Sequence, residues 1–144
     1  MIEHGKFHPI PTTSEPDINL SLACVDNVWI RTMHFTKTGV RNVPHLHTHD
    51  HASLLSVGSV KVVVDKQETI FKAPCLILVH KDQLHYMEAL EDNTILSCIH
   101  GLRDKETGEL WPEESIPKGS LMEKMLASEA RTVPDDFAAF VKNR

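Results

Sequence analysis

The sequence predicts an all-β fold, an antiparallel sandwich or barrel, over residues 20–100. Three observations support this prediction. Short runs rich in β-branched residues recur along this stretch, turn-forming residues separate them, and no helical periodicity lies between them. Closely spaced strands without crossover helices pair with antiparallel neighbours, which is typical of all-β sandwiches and barrels.

The strands are predicted from the runs that lie between turn signals. In chain order they cover residues 20–25, 28–35, 42–47, 53–57, 60–64, 68–72, 75–79, 85–89 and 94–100. The turns fall at residue pairs that favour tight reversals of the chain, such as Val57-Gly58, Asp65-Lys66 and Lys81-Asp82.

The segment before the strands is expected to be an arm. The chain has 144 residues, which at about 150 residues per domain corresponds to roughly one domain. Residues 1–19 contain Pro9, Pro11 and Pro16 and a Thr-Thr-Ser run, so they are expected to form an extended arm.

The segment after the strands is expected to end in helices. Residues 101–144 begin with a polar loop, and Ser120 and Glu123 then form an S-x-x-E capping box that is typical of a helix start. A second short helix is expected from Pro134. We expect this short C-terminal helical extension to pack on the outside of the barrel or against a second subunit.

The composition excludes several classes of protein. A net charge of −5, with 41% hydrophobic and 24% charged residues, excludes a disordered or collagen-like chain. The longest apolar run, residues 75–79, is far shorter than the ~20 residues of a membrane helix. Because there is no Lys/Arg block and aromatic residues make up 6%, neither nucleic acid nor a membrane is an expected partner. An N-terminus without a signal-peptide pattern and three cysteines without a C-x-x-C pair favour a reducing, cytoplasmic location.

Histidine is the residue that departs from this ordinary composition. The chain has ten histidines, and four of them, His45, His47, His49 and His51, occupy alternate positions. Side chains two apart in a strand point to the same face, so His45 and His47 can bind one metal ion together. Imidazoles suit zinc, iron, nickel or copper, and manganese when oxygen ligands join.

The spacing around these histidines resembles the first motif of the cupin superfamily, G(X)5HXH(X)3–4E(X)6G. Gly39, His45, His47 and Gly58 stand at the spacing of this motif, and His51 takes the place of its glutamate. The resemblance covers roughly residues 20–100 and is greatest for small single-domain cupins of bacteria and phages. It implies a cupin-type barrel, that is, a double-stranded β-helix or jelly roll.

The second cupin motif, G(X)5PXG(X)2H(X)3N, is matched mainly by His85. Other residues occupy the positions of its glycines, proline and asparagine, namely Pro74, His80, Asp82 and Ala89. The histidine alone is therefore carried over from this motif.

The resemblance implies one divalent metal ion (Fe, Zn, Mn or Ni) held by His45, His47, His51 and His85. With histidine in place of glutamate, the ligands carry no negative charge and the ion keeps its full positive charge. Such an ion favours a reaction in which it acts as a Lewis acid on an anionic substrate. The set is also similar to the three-histidine arrangement of cupin thiol and diketone dioxygenases. Metal binding has two alternatives. His45 and His47 are then an exposed pair of histidines on a strand, and His51 makes a hydrogen bond in the pocket instead of binding the ion.

Five further residues are placed beside the ligands, as their partners or in the pocket: His49, His100, Arg31, Gln83 and Met87. His49 falls in the turn between strands, where exposure is expected. His100 either orients an imidazole ligand or simply ends a strand. Arg31 clamps a carboxylate or phosphate if its face points inward, and otherwise lies on the surface. Cupins bind ligands in the barrel mouth, which the positions two apart from the ligands are expected to line: Val43, Ser53, Leu55, Val57, Gln83 and Met87.

Three classes of function fit these features. The first is a metal-dependent enzyme, either a dioxygenase or a lyase or isomerase, that acts on a small anionic molecule. The second is a non-catalytic sensor in which the metal anchors a small ligand, and the third is a metal site that serves stability alone. The enzyme leads, because an open apolar pocket disfavours the third class. The resemblance also implies a homodimer.

Overall fold

The computed structural model describes residues 7–10, 15–25, 28–47, 49–103, 107 and 109–110. The helices predicted from Ser120 and from Pro134 lie outside the described residues. Within these ranges, the chain forms no helix long and apolar enough to cross a membrane.

The described residues form strands, which confirms the all-β prediction. The strands are β1 (His8–Ile10), β2 (Ile18–Val25), β3 (Val28–Phe35), β4 (His51–Val57), β5 (Ser59–Val64), β6 (Gln67–Lys72), β7 (Cys75–Val79), β8 (His85–Ala89) and β9 (Thr94–Gly101). They form a six-stranded sheet of order β1-β2-β3-β9-β4-β7 and a three-stranded sheet of order β6-β5-β8. Every pair of neighbouring strands is antiparallel.

The core lies between the two sheets. Each strand turns alternate side chains inward, so β3 contributes Met33 and Phe35, and its partner β9 contributes Leu96. The small sheet supplies Val60 and Met87 from β5 and β8, and both side chains are almost fully buried. The barrel is thus filled with apolar side chains from both sheets, and the histidines lie beyond this core.

The segment predicted as a strand at residues 42–47 does not form one, and that prediction was wrong. It runs beside β8 with isolated bridges at Arg41 and His45 only. Pro44 has no N–H to donate, and the N–H of Val43 donates to the Glu15 carboxylate rather than to a strand. The first histidines are therefore held in an irregular segment and not in a regular ladder.

Part of the predicted arm belongs to the large sheet. Within residues 1–19, β1 pairs with β2, and β2 begins at Ile18. The described part of the arm is extended, and its backbone is paired within the sheet.

The two glycines of the first cupin motif both have positive φ angles. Gly39 has a φ of +85° and Gly58 has a φ of +84°, a region that other residues rarely adopt. Around Gly39 an added Cβ would meet no atom within 4 Å, whereas at Gly58 it would clash with Oγ1 of Thr94 and lie 3.1 Å from the Thr94 Cα. Gly58 is thus required both by its backbone angle and by the close approach of buried Thr94.

We expect Gly58→Ala to destabilise the protein much more than Gly39→Ala. The backbone conformation alone costs about 1 kcal/mol in either variant, and the clash with Thr94 raises the loss at Gly58 to more than about 2 kcal/mol. Urea unfolding of the two variants and the wild type measures both values. Equal losses in the two variants would contradict the argument.

Candidate metal centre

Two backbone hydrogen bonds join the histidines of the two motifs. The N–H of His45 donates to the carbonyl of His85, and the N–H of His85 donates to the carbonyl of His45, each at 2.9 Å. This bridge brings the irregular segment that carries His45 and His47 against the start of β8. Residues forty positions apart in the chain are thereby fixed side by side.

The same two imidazoles are oriented by backbone carbonyls. Nδ1 of His45 lies 2.8 Å from the carbonyl oxygen of Val43, and Nδ1 of His85 lies 2.8 Å from that of Gln83. Since a carbonyl can only accept, Nδ1 carries the proton in both rings and Nε2 keeps its lone pair. This is the arrangement in which an imidazole binds a metal through Nε2.

His45, His47 and His85 form one group of donor atoms. One ring nitrogen from each lies within 4.8 Å of the others. His47 stands near the centre of the wider cluster, with ring centroids 4.8 Å from His45, 5.5 Å from His85 and 4.3 Å from His51. These three imidazoles could hold a metal ion.

His51 lies at the start of β4, beside this group but outside it. Its ring centroid is 4.3 Å from His47 and 5.3 Å from His85. The side chain is 4% exposed, and neither ring nitrogen has a hydrogen-bond partner among the described residues. The role of His51 as a metal ligand remains a prediction.

His49 and His100 lie beside the first group, with ring centroids 5.6 Å and 5.4 Å from that of His47, and His100 also lies 5.3 Å from His51. The expectation that His49 is exposed was wrong, since it is 9% exposed and its Nε2 lies 3.4 Å from Nδ1 of His100. The turn folds back over the end of β9 and buries the ring. His100 is 4% exposed and stacks on Trp29, with ring centroids 4.1 Å apart.

Burial keeps the imidazoles of the cluster neutral. Desolvation is the main cause in each case, and neighbouring imidazoles add to it at His45 and His51, where the pKa falls to about 3. Desolvation likewise lowers the pKa of His47, His85 and His100. At neutral pH the rings are therefore unprotonated, the state that a metal ligand requires.

Arg31 and Glu15 border the cluster. Arg31 lies on the inward face of β3, between Trp29 and Met33, and its guanidinium is 3.6 Å from the Glu15 carboxylate. The side chain of Arg31 is 25% exposed and that of Glu15 is 7% exposed. Desolvation is the main reason for the low pKa of His45, and the charge of Arg31 contributes, so the guanidinium lies within electrostatic reach of the site.

The remaining pocket predictions have mixed outcomes. Gln83 is partly buried and binds His85 through its carbonyl, while Met87 is 1% exposed and packs in the apolar core. Ser53 and Leu55 are fully buried as inward residues of β4. Val57 was wrongly predicted to line the pocket, because a β-bulge after Leu55 leaves it 47% exposed.

Two residues near the site were missed from the sequence. Glu15 contacts Val43 across 28 positions, and Trp29 stacks on His100 across the β3–β9 pairing. Both contacts are long-range and neither residue belongs to a local motif. Only the pairing of Trp29 with His100 could have been found, once the register of the two strands was known.

Comparison with known proteins identifies the fold. No family model and no curated protein matches the chain. Among solved structures, the chain is similar to a cupin 2 conserved barrel domain protein from Rhodopseudomonas palustris, with 16% identity, 78% of this chain and 81% of that chain covered, and a TM-score of 0.56. It is also similar to KdgF from Halomonas sp., with 18% identity, coverage of 61% and 81%, and a TM-score of 0.54. The chain has the cupin fold.

A third similar structure is a manganese enzyme. The chain is similar to oxalate decarboxylase from Bacillus subtilis, a structure described for its Mn(II) centres, with 16% identity and a TM-score of 0.54. The match covers 66% of this chain and 27% of that one. At such identities the likeness concerns the fold alone.

The clustered histidines fit a divalent metal ion. Nε2 of His85 and both ring nitrogens of His51 are buried without a hydrogen-bond partner among the described residues. An unsatisfied buried polar group costs about 1–3 kcal/mol, and a metal ion would satisfy lone pairs of this kind. Neutral imidazoles with fixed tautomers are the donors that zinc, iron and nickel prefer.

We expect the metal-free protein to lose stability as the pH falls below about 6.5. Unfolded histidines protonate near pH 6.5, whereas in the folded protein the pKa of His45 and His51 is about 3. Above pH 6.5 these imidazoles are neutral in both states, and stability then falls progressively towards pH 3, because protons bind the unfolded chain first. Urea midpoints of EDTA-treated protein between pH 7.5 and 4 measure this loss.

The matched control for this effect is His51→Gln, which removes one of the titrating groups. The loss of stability between pH 6.5 and 5 should be smaller in the variant than in the wild type. A wild-type midpoint that stays constant between pH 7 and 5 would contradict the expected burial of neutral imidazoles.

Proposed function

We propose that this cupin is a metal-dependent enzyme that binds one divalent ion through His45, His47 and His85 and acts on a small anionic molecule. The observation that carries the proposal is the convergence of three imidazole nitrogens within 4.8 Å. Two of these rings have their Nδ1–H groups tied to backbone carbonyls, so the Nε2 lone pairs are left for an ion.

His51 is the fourth ligand in this proposal. Its ring lies 4.3 Å from that of His47, and both of its nitrogens are buried without a partner among the described residues. All four side chains are then neutral, and no ligand offsets the charge of the ion. Bound ions of this kind supply Lewis-acid or redox chemistry, and Fe, Zn, Mn and Ni are all compatible with the donors.

Arg31 supports an anionic substrate. It points inward beside the histidines, and a guanidinium offers five N–H donors in a fork that fits a carboxylate or phosphate. The described partner of Arg31 is the Glu15 carboxylate, at 3.6 Å, which is too long for a close bidentate pair. Donors of Arg31 are thus left for a ligand, while Glu15 holds the guanidinium at the edge of the site.

Glu15 also positions the metal-binding segment. One carboxylate oxygen accepts the N–H of Val43, and the carbonyl of Val43 in turn accepts the Nδ1–H of His45. The other oxygen faces Arg31. A single carboxylate therefore couples the orientation of the His45 imidazole to that of the guanidinium.

A second function, that of a non-catalytic binding protein or sensor, is favoured by one observation. Two of the carboxylates that approach the cluster, Glu15 and Asp50, are engaged: Glu15 binds Val43 and Arg31, and Asp50 accepts the backbone N–H of Lys81 and lies 3.6 Å from the His80 ring. Neither is free to transfer protons to a ligand. If small carboxylates bind the metal-loaded protein but are never consumed, with or without oxygen, the sensor is the better description.

We expect untagged protein, dialysed against metal-free buffer, to retain about one divalent ion per chain. His45→Ala combined with His47→Ala should release it, since two of the three converging donors are lost. Elemental analysis of both proteins measures the ratio. His34→Ala is the matched control, because His34 lies on β3 and binds Asn93 away from the cluster. Wild-type protein without metal would overturn the proposed site.

We expect Arg31→Gln to weaken oxalate binding to the manganese-loaded protein by about tenfold. A loss of this size corresponds to the removal of one charge-assisted hydrogen bond. Calorimetric titration measures the affinity, and oxamide, which is uncharged, should bind weakly to both proteins. Arg41→Gln is the matched control, since Arg41 is exposed and stacks on Tyr86 at 5.4 Å. Equal losses in the two variants would argue against a specific role for Arg31.

A further inference from the structure

One of the three converging histidines is held differently from the other two. The rings of His45 and His85 are tied through Nδ1 to backbone carbonyls, and the backbones of these two residues are bonded to each other. Among the described residues, no hydrogen bond orients the ring of His47. The direction of this ring therefore depends on how firmly the backbone around His47 is held.

The chain that follows His47 is bonded to the turn between β7 and β8. The carbonyl of His47 accepts the N–H of Asp82 at 2.8 Å. Further along the same stretch, Oδ1 of Asp50 accepts the N–H of Lys81, also at 2.8 Å. The two donors are consecutive residues of the turn, so one main-chain bond and one side-chain bond hold the stretch from His47 to Asp50 against it.

The turn is itself placed by the strands that it joins. Val79, the last residue of β7, pairs with His51, the first residue of β4, so Asp50 follows directly beyond the ladder on the neighbouring strand. There its carboxylate lies 3.6 Å from Nδ1 of His80 and reaches the next backbone N–H of the turn. Asp82 then has a φ of +60°, a left-handed conformation that aspartate tolerates and that reverses the chain into β8.

The Asp50 carboxylate could act on a bound ion either through its charge or through its hydrogen bond. The side chain is 57% exposed, so water and salt screen its charge. The bond to the N–H of Lys81, by contrast, is short and joins two separate loops. Asparagine distinguishes the two effects, because its amide oxygen can accept the same N–H although it carries no charge.

We propose that Asp50 is a positioning residue for the metal centre. Its hydrogen bond to the N–H of Lys81 holds the stretch that carries His47 against the turn between β7 and β8, and so keeps the His47 imidazole beside the other two converging rings. The inference rests on the proposed function, since it concerns the same ion. It adds a residue that acts on the site through the backbone and not as a ligand.

The test is the zinc affinity of the untagged full-length chain, measured by equilibrium dialysis at pH 7.5 after removal of metal with EDTA. Asp50→Ala should weaken binding by about tenfold, the usual effect of losing a group that orients a ligand. Asp50→Asn should stay within about threefold of the wild type, because the acceptor oxygen is kept and only a screened charge is lost. His80→Ala is the matched control, since it removes the neighbouring exposed ring and leaves the bond to Lys81, and its affinity should not change. Equal losses in the two Asp50 variants would assign the effect to charge and overturn the proposal.

Amide hydrogen exchange of the metal-free protein tests the hydrogen bond itself. The N–H of Lys81 should exchange faster in Asp50→Ala than in the wild type and at the wild-type rate in Asp50→Asn, while circular dichroism checks that each variant is folded. Unchanged protection of Lys81 in Asp50→Ala would contradict the positioning role. If Asp50→Ala and the wild type bind zinc equally well, that role fails and the proposed function stands. A wild type that binds no zinc overturns the proposed function, and the positioning role with it.

Discussion

The reciprocal pair of hydrogen bonds between the backbones of His45 and His85 is the constraint on which the site depends. It joins an irregular segment, which has no strand ladder of its own, to β8, whose other edge pairs with β5 of the small sheet. Because both bonds are made by the two histidines themselves, the positions of the two imidazoles are set by the backbone and not by side-chain packing alone. The carbonyls of Val43 and Gln83, each two residues earlier, then fix both tautomers in the same way.

The irregularity of residues 42–47 has a functional consequence. A regular strand beside β8 would continue the ladder of backbone hydrogen bonds along its whole length. Here the N–H of Val43 is free to bind Glu15, and the carbonyl of His47 accepts the N–H of Asp82. The segment is thus anchored at both ends by contacts outside a sheet, and the His45 and His47 ring centroids lie 4.8 Å apart.

The sequence predicts well those features that depend on local periodicity. The bounds of β3, β7 and β8 were predicted because each strand alternates or is continuously apolar between clear turns. The grouping of His45, His47 and His85 followed from the resemblance to the two cupin motifs. The site's other contacts depend on which distant strands are neighbours, so Glu15 was placed in an arm, His49 in an exposed turn and Val57 in the pocket. A one-residue bulge, or a turn that folds back on the sheet, changes the face or the exposure of a residue. The local sequence pattern does not show either feature.

The histidine cluster couples stability to metal binding. Burying several imidazoles whose nitrogens lack partners opposes folding, and the apolar core between the sheets must offset that cost. An ion that binds the folded chain and not the unfolded one restores stability in proportion to the logarithm of its concentration over its dissociation constant. His51 strengthens this coupling, since a carboxylate at its position could have bonded to a nearby N–H in the absence of metal, whereas His51 has no described partner. A cluster of neutral, desolvated imidazoles is therefore suited to bind a metal ion.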